Sequence, residues 1–164
     1  LLIPVTTEGQ ENTFQTYTNF SETVTGAGAA FGIDYMVGNG YTVGLNYNWN
    51  RLIDGLGDNF LNEYNTPEHK ANISFSNRKV IDNLGFNVTY RWQNEFFWGA
   101  TFGSGEVPAI GTLDAQVSYK LSGMRSILKL GGSNLFNTRH VLSYGGPTLG
   151  AIYYVSLTFD ELLN

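Results

Sequence analysis

Polar and apolar residues alternate along several stretches of the chain. Strict alternation puts every second side chain on the same face, which is the pattern of a β-strand with one apolar and one polar face. Four segments show it clearly. Their apolar residues are Phe31, Ile33, Tyr35 and Val37; Tyr41, Val43, Leu45, Tyr47 and Trp49; Leu84, Phe86, Val88, Tyr90 and Trp92; and Leu113, Ala115, Val117 and Tyr119.

Three further segments alternate over a shorter length. They are HKANISFSN, SILKLGGSNLF and the C-terminal AIYYVSLTF. With a weaker segment around residues 13–19, the pattern predicts roughly eight strands. Sustained periodicity of 3.6 residues is absent, so the sequence predicts no helix.

The connections between the predicted strands alternate between short and long. The short ones carry Gly, Asn or Asp, which suit tight turns. The short turns fall at 37–40, 80–83 and 121–125, and the long connections at 51–68, 96–106 and 138–150. This alternation is typical of outer-membrane β-barrels, which have short periplasmic turns and long extracellular loops.

Composition favours the same architecture. Aromatic residues make up 15% of the chain and charged residues only 14%, whereas about a quarter of the residues of a soluble domain are charged. Aromatic residues such as Tyr41, Trp49 and Trp92 lie near the ends of the apolar faces, as in the aromatic girdles of membrane barrels. The opposite faces are rich in Asn, Ser, Thr and Gly, which cannot form a dry core. We therefore expect the apolar face to contact lipid and the polar face to line a wet lumen.

Charge and cysteine content limit the chemistry. The net charge of -5 argues against a nucleic-acid partner, and the absence of cysteine excludes disulfides and thiolate sites within the chain. No apolar run is long enough for a transmembrane helix. The start, LLIPVTTEGQ, lacks the features of a signal peptide. No cofactor is expected.

The segment GGSNLFNTRHVLSYGGPTLGAIYYVSLTF resembles the C-terminal region of TonB-dependent outer-membrane receptors, particularly those of the Bacteroidota type. The resemblance is carried by the NLFN motif at 134–137, the SYGGP loop at 143–147 and a last strand that ends in Phe159. FGIDYMV followed by GYTVGLNYNWNRL is similar to a recurrent strand pair of the family, with Asp34 where Glu is commoner. Family chains usually stop near the terminal aromatic residue, whereas this one continues through residues 160–164.

The resemblance implies an all-β fold, a transmembrane antiparallel up-and-down β-barrel. Residues 1–159 would form about eight C-terminal strands of a barrel of the large, 22-strand type, and residues 160–164 a short periplasmic tail. The plug domain of the family is absent from this chain. Phe159 would be the terminal aromatic residue read by the barrel-assembly machinery.

The resemblance also implies a function without enzymatic activity. The chain would belong to an energy-coupled receptor that imports a scarce nutrient, which could be a siderophore, vitamin, peptide or glycan. Its partners would be outer-membrane lipid, its own plug and missing barrel strands, and an inner-membrane energy-coupling protein that acts through the plug. We expect it in the outer membrane of a Gram-negative bacterium, with its C-terminus in the periplasm.

Two other functions remain to be compared with this one. A complete small barrel of about eight strands could have a structural or adhesive role, although such a barrel is just filled by its side chains, and the polar faces here contain several glycines. A barrel enzyme would need a Ser/His/acid set near one rim, and none is evident.

Four loop residues are candidates for ligand binding: Phe97, Trp98, Arg139 and Tyr144. The aromatic ones could stack on a ligand, or they could extend the outer girdle. Arg139 lies beside His140 without a carboxylate to orient the pair, so a solvated loop is the simpler interpretation. Weak calcium candidates are Asp54, Asp58 and Glu63. Their spacing does not match an EF-hand loop, and ordinary solvated loop acids are the preferred interpretation.

Overall fold

A computed structural model describes residues 2–7, 10–15, 23–54, 64–100 and 102–159. These residues form β-strands joined by turns and one short 3₁₀ turn at Ser122–Met124. In this part of the chain no helix has the length and apolar character needed to cross a membrane. The strands are β1 (Leu2–Thr7), β2 (Gln10–Gln15), β3 (Thr25–Gly38), β4 (Tyr41–Asp54), β5 (His69–Ile81), β6 (Leu84–Gln93), β7 (Phe96–Ala100), β8 (Gly103–Val107), β9 (Ile110–Leu121), β10 (Ser126–Ser133) and β11 (Ile152–Phe159).

Seven of these strands form one antiparallel sheet in the order β11-β10-β9-β6-β5-β4-β3. Each strand lies beside its predecessor along the chain, except that the hairpin β7-β8 is inserted between β6 and β9. The seven strands predicted from alternation are therefore confirmed, in a nearly all-antiparallel β-fold.

Two features differ from the prediction. The weak strand expected at 13–19 is instead β2, Gln10–Gln15, and it pairs with β1 rather than with the large sheet; residues 16–22 lie outside the described part. The connection expected at 96–106 is a hairpin, β7-β8. Its sequence, FFWGATFGSGEV, contains glycines at every second position of β8. Glycine has no side chain to mark a face, so the alternation was hidden there.

The strand register extends the apolar face across the sheet. Phe75 lies opposite Val43 on one side and Val88 on the other, and Leu130 lies opposite Val117 and Val155. Nothing in the described chain covers this face: Val155 is 72% exposed, and Val107 is the single fully buried hydrophobic residue among those described. The sheet therefore has an apolar face without a core beneath it.

Aromatic residues lie near both ends of this face. At the end with short turns, the ring of Phe75 stacks on Tyr41 with centroids 5.5 Å apart and meets Phe86 at 5.4 Å. At the end with long loops, Tyr47 Oη lies 2.6 Å from His69 Nδ1. Close by, Trp49 Nε1 donates to Oε1 of Glu68, the residue just before β5, at 3.0 Å. Polar atoms of the rings thus find partners where the apolar face ends.

The opposite face is mainly polar. One row runs straight across five strands: Asp34, Gly44, Ser74, Thr89 and Asp114. The sheet remains open within the described residues, because β3 and β11 are its two edges and are not paired with each other. A closed barrel formed by these strands alone is therefore not observed.

Candidate functional site

The candidate site lies at the long-loop end of the sheet and is built on the hairpin β7-β8. Asn65 lies in the connection between β4 and β5, and its side chain binds the backbone of this hairpin. Asn65 Nδ2 donates to Gly99 O at 2.9 Å, and Gly99 N donates back to Asn65 Oδ1 at 2.8 Å. The amide side chain therefore acts as a one-residue extension of the hairpin edge, pairing as a neighbouring strand would.

Tyr144, in the connection between β10 and β11, lies on the face of the same hairpin. Gly105 is directly opposite Trp98 in the β7-β8 pair, so the two positions share a face. A side chain added at Gly105 would collide with the ring of Tyr144. Because glycine leaves this space free, the Tyr144 ring occupies the position next to Trp98. Asn65 and Tyr144, from two separate long connections, thus both contact the hairpin. We call this region the junction.

Trp98 has an unsatisfied hydrogen-bond donor at this junction. Its Nε1 is buried and has no hydrogen-bond partner among the described residues. The ring packs edge-on against Phe96, with centroids 6.3 Å apart. An unpaired buried N–H costs about 1–3 kcal/mol. Because Nε1 has almost no solvent-accessible surface, a ligand oxygen could accept from it only after the side chains around Trp98 rearrange.

The junction also presents aromatic surface to solvent. Phe102, at the tip of the hairpin, is 75% exposed, and it lies beside Gly145, the neighbour of Tyr144. Exposed rings held on a paired backbone can stack on the planar part of a ligand. The arrangement therefore offers an aromatic surface on which a ligand can stack.

The other two predicted loop residues are placed differently. Phe97 lies on the opposite face of the hairpin from Trp98, across from Glu106, and is 53% exposed. Arg139 is exposed near the base of the last long loop. Among the described residues it forms no ion pair. The structure therefore brings Trp98 and Tyr144 together but not Phe97 or Arg139.

The NLFN motif forms the corner from which the last loop starts. Asn134 and Asn137 have positive φ angles of 53° and 52°, a conformation that asparagine tolerates better than most residues. The side chain of Asn134 exchanges two hydrogen bonds with the backbone of Thr138, at 2.9 and 3.0 Å. Asn137 Oδ1 accepts from Ala151 N at 2.9 Å. The motif is thus a backbone-fixing turn, and its asparagines are occupied by the chain itself.

Asp114 connects this corner to the polar face of the sheet. Its Oδ1 accepts from Ser133 Oγ at 2.7 Å and from Asn134 N at 2.9 Å. Its Oδ2 forms an ion pair with Arg91 Nε at 2.7 Å. Further along, His140 and Leu149 exchange backbone hydrogen bonds of 3.2 and 2.7 Å and close the base of the loop that carries Tyr144. These hydrogen bonds fix the base of the last long loop and so restrict the position of Tyr144.

The calcium candidates Asp54, Asp58 and Glu63 stay a prediction. Asp54 is the last residue of β4, while Asp58 and Glu63 lie outside the described residues. Within the described ranges, no three His, Cys, Asp or Glu residues are placed to share a metal ion.

Sequence reasoning missed Asn65 and Gly105. Asn65 adopts a φ of 51°. The only sequence signal for this conformation is an Asn placed before Thr66 and Pro67. The signal for the second strand of the hairpin was the pair Gly103 and Gly105. Two glycines at alternate positions leave one face of that strand without side chains. The partner of that open face, Tyr144, is distant in sequence and was not predictable from spacing.

Comparisons with known proteins give matches among solved structures only. Neither a protein-family model nor a curated protein matches the chain. The siderophore receptor PirA from Acinetobacter baumannii superimposes with a TM-score of 0.58 at 20% identity, over 82% of this chain and 21% of that one. The siderophore receptor PiuA from the same organism superimposes with a TM-score of 0.54 at 14% identity, over 80% of this chain and 20% of that one.

The chain thus spans about a fifth of the length of these two receptors. At such identities the likeness concerns the fold. The seven-stranded antiparallel sheet has the fold of the corresponding section of these two proteins, and a partial β-barrel fits it.

Proposed function

We propose that this chain is part of the barrel wall of an energy-coupled, TonB-dependent receptor of the Bacteroidota type in the outer membrane of a Gram-negative bacterium. The observation that carries the proposal is the uncovered apolar face of the seven-stranded sheet. Burying apolar surface is favourable by about 25 cal/mol per Å². A face that extends over seven strands therefore needs an apolar neighbour, and aromatic residues at both of its ends match a bilayer with two interfaces.

The polar face would then line the lumen. Short turns would lie in the periplasm and long connections outside the cell, which puts the candidate site on the external rim. The strand β11 runs from the long-loop end to the short-turn end, where Phe159 pairs with Ser126. Phe159 would be the terminal aromatic residue recognised by the barrel-assembly machinery, and the C-terminus would be periplasmic.

The open edges support a wall that is shared with other strands. Both β3 and β11 have a free side within the described chain, and an exposed edge is a template for further pairing. Residues 1–159 would be a barrel segment and 160–164 a periplasmic tail. The remaining strands and a plug domain would belong to the same receptor, outside this segment. A complete small barrel with a structural or adhesive role would require β3 to pair with β11.

The receptor would bind a nutrient at its outer rim and release it inward when an inner-membrane protein acts on the plug. The solved structures that match are siderophore receptors, so a siderophore is the ligand to test first, before a vitamin, peptide or glycan. Trp98 and Tyr144 would contact it. The proposed activity is binding and transport, without catalysis.

Membrane topology is tested by labelling introduced cysteines in the full-length receptor. The 164 residues contain no cysteine, so single substitutions are unique within the segment. Val155→Cys lies on the apolar face and Ser156→Cys on the polar face of the same strand. We expect a bimane label at 155 to be quenched by spin-labelled lipid and a label at 156 to be quenched by iodide in water. Equal quenching by iodide at both positions would contradict a lipid-facing sheet.

Transport is tested by growth on limiting iron. A strain that lacks the receptor should fail to grow with ferric siderophores that the parent strain uses, and the full-length gene should restore growth. Growth that is unaffected for every siderophore would reject that ligand class. The topology experiment would still stand on its own.

A further inference from the structure

The short-turn end of the polar face carries a cluster of cations that the proposed transport function does not account for. Three strands, β5, β9 and β10, and the turn between β5 and β6 line a hollow of about 720 Å³ there. Its cationic side chains are Arg78, Lys79, Lys120 and Lys129. The chain as a whole has a net charge of -5, so this local excess of positive charge is not a reflection of overall composition.

The strand register explains how the hollow is formed. Ser118 lies opposite Gly85 on one side and Lys129 on the other. Gly85 lies against the backbone of Arg78, and any side chain at position 85 would collide with that backbone. Small residues thus form the floor between Arg78 and Lys129. Neighbouring strands are about 4.8 Å apart, so the backbones of Arg78 and Lys129, three strand spacings apart, are separated by roughly 14 Å.

Only one of the four cations has an internal counter-charge. Lys79 Nζ lies 2.8 Å from Asp82 Oδ1, and the hydrogen bond and charge of Lys79 hold the pKa of Asp82 below its usual value. Among the described residues, Arg78, Lys120 and Lys129 form no ion pair. By contrast, Arg91, higher on the same face, is paired with Asp114.

A partner that covers this hollow must supply negative charge. Removing a cation from water without a counter-ion costs several kcal/mol. An uncharged or basic partner would leave three such cations uncompensated. The hollow is open on one side, so a small anion bound there would stay hydrated and screened. A polypeptide that carries several carboxylates would displace the water and pair with all three cations at once.

We propose that the hollow formed by Arg78, Lys120 and Lys129 is a docking site for an acidic polypeptide segment on the inner wall. The inference rests on the proposed function in two respects, namely that the polar face is an inner surface and that the short turns are periplasmic. It adds a location and a chemistry: the partner contacts the wall near its periplasmic end and does so through Asp or Glu side chains.

Carbodiimide cross-linking in the full-length protein tests the proposal. The reagent joins a lysine amine to a carboxylate only when the two are in contact, and mass spectrometry identifies the pair. We expect cross-links from Lys120 and Lys129 to a single Asp- or Glu-rich segment. Lys70 is a matched control, because it lies on the same polar face, between Asn48 and Gln93, at the opposite end of the sheet.

Charge reversal supplies the second readout. In the double variant Lys120→Glu, Lys129→Glu the segment should be released, so cysteines placed in it should become reactive toward a water-soluble maleimide. Lys70→Glu should leave their reactivity unchanged. Absence of cross-links from both lysines, with unfolded protein cross-linking normally, would overturn the proposal. So would protection of these lysines from acetylation by added citrate or phosphate alone, since this identifies a small solute as the occupant.

These outcomes are separate from the topology experiment. If the label at Val155→Cys is quenched by lipid while no cross-link forms, the barrel wall stands and the docking site is rejected. If the label at Val155→Cys is open to water, the wall itself is rejected.

Discussion

At the scale of single residues, the candidate site depends on one side chain that pairs as a backbone would and on one residue without a side chain. Asn65 pairs with the hairpin edge through its amide, and Gly105 contributes by having no side chain, so that the ring of Tyr144 fits against the hairpin. Neither role can be recognised from residue type alone. Trp98 and Tyr144 were predictable as candidates because aromatic residues of long loops can stack on a ligand, whereas their proximity follows from a register that local sequence does not specify.

Substitution of Asn65 should loosen the hairpin. Asn65→Ala removes two hydrogen bonds and places alanine at a φ of 51°, so we expect a local loss of about 2–3 kcal/mol, from hydrogen bonds worth about 1 kcal/mol each and a strained backbone. Asn65→Gly relieves the strain and isolates the hydrogen bonds. Amide hydrogen exchange at Gly99 measures the loss. Thr66→Ala is the control, because Thr66 Oγ1 bonds only to Tyr64 O nearby; equal effects at both positions would contradict the anchoring role.

Substitution of Gly105 should separate Tyr144 from Trp98. Gly105→Ala introduces a methyl group where the Tyr144 ring lies, so the ring must move away. In a variant whose only tryptophan within this segment is Trp98, we expect stronger fluorescence quenching by acrylamide and weaker binding of the nutrient. Ser104→Ala, on the exposed opposite face of the same strand, should change neither quantity. Unchanged quenching in Gly105→Ala would show that the two rings are not neighbours.

At the scale of strands and turns, alternation predicted what local patterns can predict. All seven strands of the sheet were found because each alternates over at least two side chains per face, and the tight turns carried Gly, Asn or Asp. The hairpin β7-β8 was missed because glycines at 103 and 105 erase one face of its second strand. The corner at Asn134 was recognised only as a motif. Its partner Asp114 lies 20 residues earlier in the chain, beyond the range of local pattern.

The link between Asp114 and this corner can be tested with a matched pair of substitutions. Asp114→Ala removes the acceptor for Ser133 and Asn134 and leaves Arg91 without its partner. We expect the free energy of unfolding to fall by about 3 kcal/mol, since hydrogen bonds to charged groups contribute about 1.5–3 kcal/mol. Asp34→Ala is the control: Asp34 lies in the same row across the sheet. Urea unfolding in lipid vesicles measures both, and equal losses would argue against a specific role for Asp114.

At the scale of the whole sheet, one face differs from the other in what it requires of its surroundings. The apolar face has no protein against it among the described residues, and the polar face concentrates unpaired cations at one end. Sequence predicted the two faces, since they follow from a period of two. It did not predict the open edges or the cation cluster, because both depend on which strands lie side by side.

Arginine substitutions distinguish a lipid-facing sheet from a water-exposed one. Ile73 is on the apolar face and 52% exposed, while Ser74 is on the polar face of the same strand. In water an arginine at either position, exposed at 73 and half-buried at 74, should change stability little. In a bilayer, Ile73→Arg should cost about 2–4 kcal/mol near the midplane, and Ser74→Arg much less. Folding of the full-length protein into vesicles measures the difference, and equal folding of the two variants would count against a bilayer location.

The order of strands in the sheet also bears on the speed of folding. Every pairing in the seven-stranded sheet joins strands that follow one another along the chain, with a single hairpin looped out between β6 and β9. Such local pairing keeps the contact order low, and low contact order goes with fast folding. The sheet can therefore grow one hairpin at a time, from either edge. Within a larger barrel, the single non-local step would be the final joining of the edge at β11, and we expect that step to set the overall rate.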